Sequence, residues 1–86
     1  MEDLKQIISK NIVSLRNSEN MTQAELAEKL NYSDKAVSKW ERGDSLPDVI
    51  VIKQIADIFG VTVDSLLTDN DGAPIRENKQ KRRTAV

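Results

Sequence analysis

In the stretch NYSDKAVSKWERG, residues 31–43, Lys35, Lys39 and Arg42 gather around Ser38 and the only tryptophan of the chain, Trp40. Three cations and a hydroxyl within eight residues (35–42) suit the neutralising of phosphates and hydrogen bonding to base edges. At about 100° per helical residue, Val37, Trp40 and Glu41 fall on one side of a helix. Lys35, Ser38, Lys39 and Arg42 fall on the other, with Asp34 at the margin. The first side anchors and the second is displayed. Trp40, between Val37 and Glu41, reads as a core anchor rather than a base-stacking ring. A solvated charged face is the plain alternative for the cations.

Other chemistry is scarce. The 86 residues contain neither cysteine nor histidine, which excludes disulfides and thiolate metal sites and removes the commonest general base. Acidic residues are plentiful, but no pair sits in a recognisable catalytic setting, so neither an enzyme nor a cofactor or metal site is expected. The sequence DNDG at Asp69 to Gly72 lacks the other acidic positions of a calcium loop and reads as a turn. No signal-peptide pattern and no apolar run of about 20 residues is present, so a cytoplasmic protein is expected.

The net charge of −1 conceals an asymmetry. Up to Gly72, acidic residues outnumber Lys and Arg by 13 to 8; beyond it five basic residues, Arg76, Lys79, Lys81, Arg82 and Arg83, face Glu77 alone. Nucleic-acid binding by the first part therefore requires a local basic face, which residues 35–42 supply.

Five helices are needed to hold that face. Leu4, Ile8, Ile12 and Leu15 make an amphipathic stripe that frays into Asn17-Ser18-Glu19-Asn20. Thr22 and Glu25 form a capping box for a second helix with Leu26, Ala27 and Leu30 on its inner face, ending near Asn31. Ser33 caps the third helix, and Asp34 suits its first turn. Ser45-Leu46-Pro47-Asp48 announces a fourth, with Val49, Ile52, Ala56 and Phe59 as its core stripe and Gly60 as its stop. Thr62 caps a short last helix bearing Leu66 and Leu67. The expected architecture is all-α, with a domain over residues 1–68 and a flexible basic tail over 69–86. Two helices joined by a short turn, with small Ala27 at the packing contact, make a helix-turn-helix. Gln23, at the start of the second helix, can then grip a phosphate.

Residues 21–67 resemble the Cro/C1-type (lambda-repressor-like, Xre) helix-turn-helix family. TQAELAEKL resembles its second helix, SDKAVSKWERG its recognition helix and following turn, and SLPD with IADIFGVTVDSLL its last two helices. The resemblance implies a five-helix lambda-repressor-like domain that binds double-stranded DNA as a transcriptional regulator, most often a repressor, and usually as a two-fold homodimer. It implies DNA-facing roles for Gln23, Ser33, Asp34, Lys35, Ser38 and Lys39, with the loop at Arg42 near the backbone. It also implies an Arg16–Glu41 pair between the first and third helices. Asn31 departs from the usual turn glycine, and Asp34 stands where many members carry a cation or amide. Asp34 either accepts from a cytosine amine or serves the helix dipole. Asp44, if aimed at the duplex, would weaken binding.

Val51, Ile55 and Ile58 form a second apolar stripe on the fourth helix: either the core is wide or a second subunit docks there. The basic tail adds phosphate contacts, supplies solubilising charge, or lies beside the membrane in a longer tethered regulator. A protein-interaction module is the rival reading of the whole domain.

Overall fold

The computed structural model describes residues 3–69; the expected tail beyond Asp69 lies outside the described residues. The helices are α1 (Leu4–Ser18), α2 (Gln23–Leu30), α3 (Asp34–Arg42), α4 (Val49–Phe59) and α5 (Val63–Leu66). Each of the five begins at a side-chain cap: Asp3, Thr22, Ser33, Asp48 and Thr62 accept from a backbone N–H three residues ahead. The Thr22–Glu25 box is reciprocal, with Glu25 N–H donating to Thr22 Oγ1 at 3.0 Å and Thr22 N–H to Glu25 Oε1 at 2.8 Å. That second bond lowers the Glu25 carboxyl below its ordinary pKa, because the charged form is the better acceptor.

Helix α3 packs on both α1 and α2, while α5 closes against α1 and α4. One core joins Ile8, Ile12 and Leu15 of α1 to Leu26 and Leu30 of α2, Val37 and Trp40 of α3, Val51, Ile55 and Phe59 of α4, and Leu66. Apolar area removed from water at these positions is the main stabilising term, at about 25 cal/mol per Å².

Three expected positions differ, and one of them, Leu67, is the exposed cap residue beyond α5 rather than part of that helix. Leu4, in the first turn of α1, is half exposed. In α4, Val49 and Ile50 are 74% and 68% exposed, whereas Val51 and Ile55 are buried. The two apolar stripes of α4 are thus halves of one wide buried face, and Val49 and Ile50 project from its first turn. Pro47 lies just before the cap residue Asp48 rather than inside the helix, and is buried. The wide core accounts for the second stripe, which is not free to dock a partner.

Candidate nucleic-acid interface

The geometry between α2 and α3 is set by three residues. Asn31 adopts the left-handed conformation (φ 61°, ψ 41°), which asparagine tolerates better than other non-glycine residues. Tyr32 N–H then donates to Ala27 O at 2.9 Å, closing α2, and Ser33 Oγ accepts from Ala36 N–H at 3.2 Å, opening α3. The Tyr32 ring packs on Trp40, with centroids 5.5 Å apart and planes at 58°. This contact, invisible in the helical periodicity, fixes α3 against the turn that precedes it.

Val37 and Trp40 are buried on the inner side of α3, while Asp34, Lys35, Lys39 and Arg42 are exposed and Ser38 is half-buried. Lys35, Ser38, Lys39 and Arg42 line one shallow depression. Arg42 runs along it: its Nη1 donates to Ser38 Oγ and its Nε to Asp44 Oδ2 at 2.9 Å. Asp44 is thereby paired within the chain, an arrangement the sequence did not disclose. Ser33 spends its hydroxyl as an acceptor for the cap. Helix α3 ends at Gly43, whose φ of +76° favours glycine, and a Cβ there would meet Gln6 Nε2 at 2.5 Å.

Behind the face lies a partly buried polar junction. Arg16 Nε donates to Glu41 Oε2 at 2.6 Å and Arg16 Nη2 to Glu41 Oε1 at 2.9 Å, a bidentate pair with side chains only 16% and 6% exposed. The hydrogen bond to Glu41 raises the Arg16 guanidinium above its ordinary pKa; burial opposes that shift and the carboxylate charge adds to it. Arg16 Nη1 also donates to Met21 O at 2.8 Å, tying the pair to the chain entering α2. Gln23 joins from α2, its Nε2 donating to Glu41 Oε1 at 2.9 Å. Ser9 Oγ donates to the Glu41 carbonyl. Among the described residues no buried side-chain nitrogen or oxygen lacks a partner.

Sequence reasoning passed over Ser9 and Asn11, both buried polar residues. Asn11 Nδ2 donates to Leu66 O at 2.8 Å and Thr68 O at 3.0 Å, fastening the end of α5 to α1. A polar residue beside the Ile8–Ile12 stripe was the available signal.

The helix-turn-helix family model matches residues 12–66, which takes in the turn, the displayed face and the Arg16, Gln23 and Glu41 side chains. The chain belongs to the Cro/C1-type helix-turn-helix family. Relatives that it resembles are named as HTH-type transcriptional regulators. Among relatives, "HTH-type transcriptional activator BcrR" of Enterococcus faecalis is 39% identical over 67 residues, covering 78% of this chain and 33% of that protein. "Uncharacterized HTH-type transcriptional regulator y4dJ" of Sinorhizobium fredii is 31% identical over 72 residues, 84% of this chain and 94% of its own length. The chain therefore spans about a third of the first relative and nearly the whole of the second. The solution structure of the SOS-response transcriptional repressor LexA from Eubacterium rectale superposes with a TM-score of 0.76 at 26% identity, over 90% of this chain and 86% of that one. Among the described residues no helix is long and apolar enough to cross a membrane.

Proposed function

We propose that this helix-turn-helix protein regulates transcription in the cytoplasm by reading double-stranded DNA through the outward face of α3. The observation that carries the reading is the division of α3: Val37 and Trp40 buried, with Lys35, Lys39 and Arg42 exposed around Ser38. An α-helix fits the major groove, where lysine and serine reach guanine acceptors and other base edges. Lys35 and Ser38 read bases, with Asp34 either accepting from a cytosine amine or serving the helix dipole, and Lys39 meets a base or a phosphate. Gln23, Ser33 and the loop at Arg42 set the register on the backbone.

Repression is the proposed direction, since occupancy of a site suffices to block it. The E. faecalis relative named an activator is about three times longer than the matched segment. A homodimer is proposed on half-sites about 34 Å apart. Val51 and Ile55 are buried in the subunit's own core, which leaves Val49 and Ile50 as exposed apolar side chains on α4. We put the domain boundary at residue 68, a reading supported by the Asn11 amide donating to the Leu66 and Thr68 carbonyls.

Selection from a randomised duplex pool at physiological salt tests this reading. The expected result is a two-fold symmetric motif. A single half-site would argue for a monomer, and the absence of enrichment would replace DNA by a protein partner.

A further inference from the structure

Gln23 reaches the surface as a held amide. Its Nε2 donates to the same Glu41 oxygen that Arg16 Nη2 holds, each at 2.9 Å, while Arg16 Nε fixes the other oxygen at 2.6 Å. A carboxamide nitrogen carries two N–H groups and accepts nothing. With one N–H committed to a carboxylate that is itself gripped at both oxygens, the broad terminal torsion of the glutamine is fixed. The second N–H and Oε1 then have set directions. The junction also fixes where α2 begins, because Arg16 Nη1 holds the Met21 carbonyl at 2.8 Å, immediately before the Thr22 cap. The amide and the backbone N–H groups of the first turn of α2 are thus registered on one carboxylate.

We propose that Glu41 is a positioning residue for DNA contact, holding the Gln23 amide so that its remaining N–H meets a phosphate at the start of α2. This rests on the reading of Gln23 as a phosphate contact. An amide ordered before binding loses no rotamer freedom on binding, which raises affinity without a new contact. The residue type fits both partners. A carboxylate at position 23 would repel Glu41 and the phosphate alike. An ammonium would be drawn to Glu41 as a second cation. An amide donates to both.

The test uses the full chain and the duplex recovered from a randomised pool, scanned with single methylphosphonate substitutions. For the unaltered protein, neutralising one phosphate should weaken binding by about tenfold. Gln23→Ala should lose affinity by a similar factor and become insensitive to that substitution. The paired Arg16→Met, Glu41→Met variant replaces the buried ions with apolar chains that can keep the fold. It should lose the same phosphate sensitivity, and adding Gln23→Ala to it should change affinity by no more than about twofold. Full additivity would overturn the positioning role. A Gln23→Ala protein with unaltered affinity and phosphate pattern would instead overturn the phosphate reading beneath it. Should the paired variant fail to fold, the unaltered protein decides by NMR. One Gln23 Nε2 proton should be shifted downfield and exchange slowly, whereas an averaged, fast-exchanging pair would overturn the proposal.

Discussion

Adjacent residues of α3, Glu41 and Arg42, each form an ion pair, and the two pairs have opposite consequences. Arg16–Glu41 is bidentate, with side chains 16% and 6% exposed; Arg42–Asp44 is 57% exposed on both sides. The first is largely withdrawn from water, and it ties α1, α2 and α3 together. The second lies in water, where attraction is screened and the pair can open at little cost when a phosphate competes for Arg42. Burial, rather than charge or distance, separates the residue that holds α3 in place from the residue that the proposed reading turns toward DNA.

The widest break in this comparison should come from Glu41→Ala, which leaves Arg16 buried without its counter-ion. We expect a loss of about 3–5 kcal/mol of stability, read by thermal or urea denaturation. A melting temperature within a degree of the parent would erase the distinction between the pairs. Next, Gly43→Ala, one residue beyond Arg42, should cost about 1–3 kcal/mol for the left-handed backbone alone. Movement of Gln6 away from the new methyl adds to that. Equal stability would mean that the end of α3 is loosely held.

On the exposed side, the effect should move from stability to affinity. Lys35→Ala should leave the melting temperature unchanged while binding to the selected duplex falls by about 1–3 kcal/mol. If Lys39 meets a phosphate, Lys39→Ala should weaken all sequences alike and reduce the salt slope by about one.

Smaller still is the acid dependence of the α2 cap. The Glu25 carboxyl is lowered by the Thr22 N–H, so its contribution is complete above the ordinary carboxylate pKa and fades as pH falls through the depressed folded value. Glu25→Gln and the parent should therefore differ in stability at neutral pH and converge in acid; a constant difference would exclude the carboxylate as the cause. The smallest effect is expected from Asp44→Ala, a change in stability below about 1 kcal/mol with unaltered or slightly tighter DNA binding. A loss as large as that of Glu41→Ala would mean that exposure does not separate the pairs.

What could be read from the sequence was local. Thr22 and Glu25, Ser33, and Asn31 act within three or four residues of themselves, so caps and turn are visible in the chain. The two sides of α3 follow from helical geometry in the same way. The partners of Gln23 and Asn11 are not local: Glu41 lies 18 residues from Gln23, and Leu66 lies 55 from Asn11. Periodicity carries no signal for such contacts. The Arg16–Glu41 pair was expected from family resemblance, but its third member, Gln23, was assigned to phosphate alone. In α4 the difficulty was excess rather than absence. Val49, Ile50, Val51 and Ile52 are all apolar, so the pattern cannot fix which of them turns inward. The packing of α2 and α5 against α4 does.

The most direct test is to repeat the randomised-duplex selection with Lys35→Ala beside the parent, after confirming equal melting temperatures. The account predicts that preference relaxes at one position of each half-site while the rest of the motif persists. An identical motif from both proteins would contradict it, because the outward face of α3 would then not be reading the bases.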